Sequence, residues 1–465
     1  MSLRSLLGAI ALSALAAPVM AQTEITRLTI HGSNTIGAKL MPRIVEDFAV
    51  SLGYRVVRVA GDKPEEVEIR LAREDGTVGG IVRVHSHGSG TAVPGLVSRA
   101  AQIGMSSRPV SEKELAMAAK ASMPDLRQPG YEHVLALDGL VVVVSPENPV
   151  RALTLDQIAA IFAGQVRDWS EVGGKPAPIN LYARDAKSGT YDTFDALVLR
   201  AHKVALAAGA RRFESSEDLS DSVARDPAGI GFIGFAYVRN AKPLSIASVC
   251  GVTSDPRTYE VKTEEYPLSR RLYLYTAAPP SDDMTGLLLQ YALSAKSDPV
   301  VQDEGFIDLR PTLPREPGQL GRLVTALQMQ GTDFDAESFK RLTLDLQRTQ
   351  RISTTFRFLP NAITLDNRAL VDIGRLAEMV KPLMVANPNL TLTAVGFTDS
   401  TGSADGNVTL SQTRAESVRT ALLARLGKAY APRLLARGYG PLLPVACNEA
   451  IDGRDKNRRV EIWLR

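Results

Sequence analysis

The sequence predicts an α/β protein with two modules, the first larger than the second. A chain of 465 residues is longer than one hydrophobic core usually organises. From Ile25 to Ser294, apolar runs such as Leu135–Val144 alternate with helical stretches such as Leu155–Phe162. This alternation is typical of α/β units with buried strands. A second, shorter alternation from Thr354 to Arg465 predicts a smaller α+β unit.

A proline-punctuated stretch separates the two alternations. The apolar pattern weakens between Ser297 and Arg315, and prolines recur there and just beyond, which marks a boundary. The next stretch, Leu320 to Leu346, has helical periodicity and is either a spacer or the start of the second module. The predicted division is therefore an export signal at 1–21, a larger module at 22–298, a linker or spacer at 299–350 and a smaller module at 351–465.

The first residues predict export from the cytoplasm. Arg4 precedes the apolar run Leu6–Leu15, and Val19–Ala21 carries the small side chains that a signal peptidase reads, with cleavage expected before Gln22. The run is shorter than the roughly 20 apolar residues of a membrane-spanning helix. No other transmembrane segment is predicted in the mature chain. The net charge of +3 is too small to favour nucleic acid as a partner.

Two cysteines, Cys250 and Cys447, fall in different predicted modules. Two cysteines do not make a disulfide framework. A single bridge between the modules is conceivable but not expected. The prediction for Cys447 is a free or buried thiol.

Three loops of glycine and hydroxyl residues precede predicted helices and indicate an oxyanion site. They are Gly32–Thr35, Gly88–Thr91 and Ser188–Thr190. Backbone N–H groups and hydroxyls at such positions bind an oxyanion without a full positive charge. Arg184, four residues before Ser188, adds a guanidinium suited to a phosphate-like ligand. Each loop alone is more often an ordinary turn or helix cap, whereas their combination favours a site.

These motifs resemble the phosphate-type substrate-binding proteins of ABC importers. The loops of that family occur here in order, at Gly32–Thr35, Gly88–Gly90, Gly104–Arg108 and Arg184–Phe194. The resemblance implies the two-lobed fold of type II periplasmic binding proteins, closing on inorganic phosphate or a similar oxyanion, with an importer permease as a further partner. The ligand residues that it implies are Ser33, Asn34, Thr35, Ser89, Ser107, Arg184, Ser188, Gly189 and Thr190.

The sequence departs from this family at one position that affects selectivity. Some members carry an aspartate in the Ser106-Ser107 region, where it accepts the proton of a hydrogen-bearing phosphate and helps to exclude sulfate. Ser107 stands there in this chain. The resemblance therefore implies an oxyanion ligand without fixing phosphate over its analogues. The charged stretch Lys63 to Val82 is an apparent insertion relative to the simplest members.

The last hundred residues place a carboxylate and a guanidinium near the carboxyl edge of a predicted sheet. Asp399 follows the predicted strand Leu390–Gly396, and Arg414 is expected in the first turn of the helix Ser411–Leu426. Such a pair either binds the two ends of a zwitterion or forms a mutual salt bridge. Their spacing alone favours the salt bridge.

The complete motif resembles the OmpA-type peptidoglycan-binding domain, which favours the zwitterion. The resemblance covers Thr354 to Arg465 and includes a strand-end Thr-Asp, an Asn-x-x-Leu-Ser-x-x-Arg-Ala helix and a terminal Asn-Arg-Arg-Val-Glu-Ile. It implies non-covalent binding of the diaminopimelate of a peptidoglycan stem peptide. The implied location is the periplasm, associated with peptidoglycan or the outer membrane. The implied groove residues are Asp399, Asn407, Leu410, Arg414 and Arg458, with Arg459 as a further match.

The sequence favours a binding protein over an enzyme. No serine stands in a G-x-S-x-G motif, and Gly229–Gly234 matches a dinucleotide-binding string but predicts a glycine-rich strand. His85 and His87 form a pair that suits a metal ion on a strand, but no third ligand follows at a suitable spacing, so a surface pair is preferred. We therefore expect no metal and no cofactor. The alternative function is a structural or adhesive wall protein whose clamp no longer binds phosphate.

Overall fold

The structure, a computed structural model, describes residues 25–186, 188–313, 320–328, 335–449 and 451–465. The predicted export signal at 1–21 lies outside these residues. The described chain forms an eleven-stranded, a three-stranded and a four-stranded sheet. Within the described ranges, no helix has both the length and the apolar character needed to cross a membrane.

The first lobe surrounds one half of the large sheet. Alternate residues of its strands, such as Leu28, Ile30, Val82 and Val84, are buried against helices on one face. Its strands are β1 Thr26–Gly32, β2 Arg55–Ala60, β3 Glu66–Ala72, β4 Val78–His85, β5 Ile103–Ser106 and β14 Ser269–Thr276. Its helices are α1 Asn34–Gly37, α2 Leu40–Ser51, α3 Ala92–Val97, α4 Glu112–Lys120, α9 Met284–Leu293 and α10 Asp298–Asp303.

A long strand, β6 Glu132–Val144, connects the two lobes. Its first half pairs with β14, and its second half pairs with β10 Gly229–Gly234 in the second lobe. The apolar run predicted at Leu135–Val144 is thus confirmed as a strand, and it is continuous because nearly every side chain is buried. Gly229–Gly234 is also a strand, as its sequence context predicted.

The second lobe completes the large sheet. Its remaining strands are β7 Ala152–Thr154, β8 Asn180–Arg184, β9 Arg211–Phe213, β11 Lys242–Pro243, β12 Ser245–Ala247 and β13 Thr253–Ser254. The strand order of the large sheet is β2-β3-β4-β1-β5-β14-β6-β10-β8-β9, with β11 also paired to β6. The helices of the second lobe are α5 Leu155–Phe162, α6 Gly189–Phe194, α7 Ser216–Ala224 and α8 Thr258–Lys262. The helix predicted at Leu155–Phe162 is confirmed, and Thr154 and Gln157 form a capping box at its start.

The C-terminal module is a four-stranded sheet in the order β15-β18-β16-β17, with helices on both faces. Its strands are β15 Gln350–Arg357, β16 Leu392–Phe397, β17 Leu434–Gly438 and β18 Arg459–Leu464. Its helices are α11 Leu320–Gln328, α12 Ala336–Gln347, α13 Asn367–Ala386, α14 Ala404–Leu426 and α15 Ile451–Asn457. Helices α13 and α14 contribute to the core on one face, and α11 and α12 to the core on the other.

Much of the predicted linker at 299–350 is packed into the two modules. Val300 and Phe306 are buried in the core of the first lobe, and Leu323 and Leu342 are buried against the C-terminal sheet. Because Leu323 and Leu342 are buried in a core of the C-terminal module, Leu320–Leu346 is better described as the start of that module than as a spacer. We therefore propose that the modules extend over 25–310 and 320–465.

Helix α14 begins earlier than the sequence predicted. Its N-cap is Ser403, whose hydroxyl accepts a hydrogen bond from the backbone N–H of Gly406. The prediction of a start at Ser411 was wrong because the first turns contain Gly406 and Asn407, which are poor helix formers, and because the residues before Ser411 show no clear apolar periodicity. Arg414 consequently lies in the middle of the helix rather than in its first turn.

The modules are joined covalently and by buried charges. Cys250, in the loop between β12 and β13, forms a disulfide with Cys447, and so the expected free thiol at Cys447 is wrong. The two loops meet in the fold although 197 residues separate the cysteines. Ion pairs join Arg351 to Glu265, Arg368 to Glu264, Arg271 to Asp366 and Arg375 to Asp298. The C-terminal module thus contacts both lobes, through Cys250 in the second and Asp298 in the first.

Loss of the disulfide is expected to destabilise the chain by about 2–4 kcal/mol, because the cross-link restricts the unfolded ensemble. We expect Cys447→Ser to melt at a lower temperature than the oxidised protein, and dithiothreitol to have no further effect on the variant. Thiol titration in denaturant should find no free thiol before reduction and two after it. Two free thiols in protein isolated from an oxidising compartment would contradict the bridge.

Candidate binding sites

A cavity of about 670 Å³ lies between the two lobes. Residues from the predicted loops line it, together with side chains that the sequence did not single out. The predicted residues in its lining are Asn34, Thr35, Arg184, Ser188 and Thr190, and the others include Glu65, Ser86 and Tyr237. The cavity therefore lies where the resemblance placed an interlobe cleft.

Hydroxyl groups from both lobes converge around Gly189. A side-chain Cβ at Gly189 would lie 2.7 Å from Ser107 Oγ, 3.1 Å from Thr35 Oγ1 and 3.5 Å from Ser33 Oγ, so a larger residue there would displace the Ser107 hydroxyl. Ser107 Oγ is 3.2 Å from Ser89 Oγ. Ser33 Oγ is buried and has no hydrogen-bond partner. The structure thus brings the predicted hydroxyl residues together, including Ser188, which caps α6, and Thr190, next to Gly189.

Arg184 holds its guanidinium at the wall of the cavity. Its Nε donates to the Phe213 carbonyl at 3.2 Å, its Nη2 donates to the Glu214 carbonyl at 2.6 Å, and its Nη1 donates to Ser216 Oγ. A guanidinium has five N–H groups, so these bonds leave two for a ligand. Burial lowers the pKa of Arg184, because removal from water disfavours the charged guanidinium more than nearby groups such as Asp185 favour it. An anion in the cavity would relieve this cost.

Asn34 is placed differently from the other predicted residues. Its Nδ2 donates to Glu65 Oε2 at 2.5 Å, and its Oδ1 is buried without a hydrogen-bond partner. The bond to this carboxylate occupies one of the two N–H donors of the amide. Asn34 lines the cavity and remains a candidate ligand residue through the other donor.

Arg270 on β14 contacts two residues of the cavity lining, Thr35 and Thr190, and the sequence did not single it out. Its Nη2 and Nε donate to Asp138 Oδ2 at 2.5 and 2.9 Å, and both side chains are buried. Arg270 also donates to the Gly189 carbonyl at 2.8 Å, and its Nη2 lies 3.4 Å from the hydroxyls of Thr35 and Thr190. The sequence does contain a signal for this residue. Asp138 is a charged residue inside an apolar strand, and a buried charge requires a partner of opposite charge.

A second, smaller cavity of about 260 Å³ lies at the edge of the C-terminal sheet. All five residues that the OmpA resemblance implied line it. They are Asp399, Asn407, Leu410, Arg414 and Arg458. Arg459, the further match, is buried elsewhere, where its Nε donates to Glu461.

Asp399 and Arg414 do not form the mutual salt bridge that their spacing favoured. Arg458 Nη1 donates to Asp399 Oδ2 at 2.7 Å, and the backbone N–H of Thr401 donates to Asp399 Oδ1 at 2.9 Å. Arg414 donates instead to the Leu359 and Ala362 carbonyls. The earlier start of α14 and the pairing of β15, β16 and β18 explain this exchange of partners.

Arg414 combines complete burial with an unused donor. Its Nη1 is buried and has no hydrogen-bond partner, although the residue lines the cavity. Burial, and then the nearby charge of Arg458, lowers the pKa of Arg414 to about 10. A carboxylate bound in this cavity would satisfy the donor, and a ligand ammonium would find Asp399 nearby. The arrangement suits a small zwitterion.

Sequence comparisons identify relatives of both modules. Residues 72–296 match the PBP superfamily domain, and residues 357–458 match the OmpA family. The phosphate-binding protein PstS of Bacillus subtilis is 31% identical over 230 residues, which are 49% of this chain and 70% of that protein. PstS of Borreliella burgdorferi is 27% identical over 236 residues, covering 49% of this chain and 80% of that protein.

Solved structures also align with parts of this chain. An ABC-type phosphate transport receptor from Vibrio cholerae aligns with a TM-score of 0.46 and 24% identity, over 60% of this chain and 99% of that one. A peptidoglycan-associated lipoprotein from Burkholderia pseudomallei aligns with a TM-score of 0.21 and 25% identity, over 24% of this chain and 89% of that one.

Proposed function

The chain belongs to the PstS family of phosphate-binding proteins and carries an OmpA-family domain, and from this we propose that it captures an oxyanion while attached to peptidoglycan. Phosphate or a close analogue occupies the interlobe cavity, and the wall module binds a diaminopimelate stem peptide without a covalent bond. The protein works in the periplasm after export, and an importer permease receives the anion. In this role it is a binding protein and carries out no catalysis.

The convergence of hydroxyls on Gly189 carries the proposal for the first module. Thr35 comes from the first lobe, and Ser188 and Thr190 come from the second, so a ligand in the cavity that they line contacts both lobes. The unpartnered hydroxyl of Ser33 and the two spare donors of Arg184 are the groups that an oxyanion would satisfy. Glu65 opposes an anion in the same cavity, because its carboxylate carries a negative charge.

Ser107 bears on which anion is bound. A hydroxyl both donates and accepts, so it can bond a protonated or an unprotonated oxygen. An aspartate at this position would repel a fully ionised anion such as sulfate. The proposal is therefore that discrimination between phosphate and sulfate is weaker in this chain than in relatives with the aspartate.

Calorimetric titration of the full chain with phosphate, arsenate and sulfate tests the anion site. We expect heat of binding with phosphate, and a weaker Kd in Arg184→Gln because a hydrogen bond to a charged group contributes about 1.5–3 kcal/mol. This corresponds to about a ten- to hundredfold loss of affinity. The readout is the Kd for each anion in each protein.

Arg200→Gln is the matched control, because Arg200 is an exposed arginine paired with Asp195 and does not line the cavity. It should bind phosphate as the wild type does. Absence of heat with all three anions in the wild type would reject the capture function and favour the alternative of a structural or adhesive wall protein.

A further inference from the structure

A row of histidine and glutamate side chains, residue types that can ligate metals, crosses three adjacent strands of the first lobe. Strand pairing places Glu66 on β3 opposite His85 on β4, and His85 opposite His31 on β1. Side chains at directly opposed positions point to the same face, with Cβ atoms about 4.5–5.5 Å apart. This face is opposite to the one on which Ile30 and Val84 enter the core.

Glu66 is the common partner in this row. Its Oε1 lies 2.8 Å from His87 Nε2 and 3.8 Å from His85 Nδ1. The His31 ring stacks on the His85 ring, with the ring centroids 4.7 Å apart. The side chain of Glu66 is 8% exposed and that of His87 is 37% exposed. Solvent therefore reaches the row of side chains at His87 and hardly at the Glu66 carboxylate.

We propose that Glu66, His85 and His87 bind one divalent transition-metal ion, with Zn²⁺ as the preferred cation. Two imidazoles and one carboxylate are a donor set that suits zinc, and three protein ligands leave the fourth position to water. In the structure the Glu66 oxygen stands between the two rings. The cation takes over this central position when the exposed His87 ring turns toward it.

His31 is the positioning residue of this site. Its ring supports His85 by stacking, and a Cβ at Gly95 of α3 would lie 2.9 Å from His31 Nδ1, which shows that the helix packs closely against that ring. The sequence alone offered only His85 and His87. The sheet register supplies Glu66 and His31 from strands that are far from them in the chain.

A simple hydrogen bond would not require this arrangement. A pair formed by Glu66 and His87 needs neither His85 nor His31, yet three of the five histidines of the chain meet here. The site is also separate from the anion cavity. Ser86, which stands between the two histidines in the chain, lines that cavity, whereas neither histidine does. The metal proposal therefore stands whether or not the chain captures an oxyanion.

Titration of the full, tag-free chain with ZnCl₂ in phosphate-free buffer tests the site. We expect one equivalent of Zn²⁺ to bind, and His85→Ala and His87→Ala each to weaken binding by more than about 100-fold, the upper range for residues that only support a ligand. His31→Gln should weaken binding by about 10–100-fold, as expected for a positioning residue. The readouts are the stoichiometry and Kd from calorimetry.

His202→Ala is the matched control, because this histidine lies beside Asp156 in the second lobe. It should bind Zn²⁺ as the wild type does. The disulfide removes Cys250 and Cys447 as competing thiolate ligands. Absence of Zn²⁺ binding to the wild type, or unchanged binding in a His85→Ala/His87→Ala double variant whose melting temperature is preserved, would overturn the proposal.

Discussion

Arg270→Met is expected to destabilise the first module and to weaken phosphate binding at the same time. The substitution leaves the Asp138 carboxylate buried without its partner, which costs about 3–5 kcal/mol. For a module of this size the melting temperature should fall by roughly 6–20 °C. Arg270 also fixes the Gly189 loop, and loss of each such bond costs about 0.5–1.5 kcal/mol, so phosphate affinity should fall by about tenfold.

The double variant Asp138→Asn/Arg270→Met separates the two effects. Removal of both charges takes away the uncompensated carboxylate, so much of the stability should return. The phosphate affinity should stay low, because the contacts to Gly189 and Thr35 are still missing. Arg43→Met is the control, since Arg43 forms an exposed pair with Glu46 and should change stability by less than about 1 kcal/mol. Full phosphate affinity in the folded single variant would show that Arg270 does not position the site.

Arg414→Ala and Asp399→Asn are each expected to abolish retention on purified sacculi. Truncation of one partner of a buried charged contact costs about 2–5 kcal/mol, which is at least about a 30-fold loss of affinity. Asp399→Asn preserves the shape of the side chain and its bond from Thr401 while removing the charge. The measurement is the fraction of protein pelleted with sacculi, with competition by a diaminopimelate-containing muropeptide.

Folding must be separated from binding in the Arg414 variants, because this side chain also holds the Leu359 and Ala362 carbonyls. Asp399→Asn keeps the size of the side chain but removes the charge that pairs with Arg458, so a lower melting temperature is expected for it too, moderated by the second partner of Arg458, Asp455. Arg437→Ala, at an exposed arginine on β17 outside the cavity, should be retained on sacculi like the wild type. Retention of both Asp399→Asn and Arg414→Ala would refute the assigned groove.

The sequence predicted most reliably what lies in contiguous segments. The hydroxyl loops and Arg184 are local motifs, and their side chains do line or approach one cavity. The strand at Leu135–Val144 and the helix at Leu155–Phe162 follow from local periodicity. These predictions succeed because the chemistry and the local conformation depend on the same few neighbouring residues.

The relations that the sequence did not reveal depend on strand register. Asp138 and Arg270 are opposed across β6 and β14, and Glu66, His85 and His31 are opposed across three strands. Opposed residues carry no common signal in a single sequence. The same limit explains why Asp399 was matched with Arg414, which is nearer in the chain. Its partner in the fold is Arg458, which directly precedes the last strand, β18.

The bond between Cys250 and Cys447 closes the chain into a covalent ring of two modules. In a protein held to the wall through its C-terminal groove, a pulling force on the second lobe would pass through this cross-link before it could extend the segment between the modules. If the chain binds an anion and the wall as proposed, this cross-link limits how far the two sites can move apart under load. Reduction of the one bond would remove that limit.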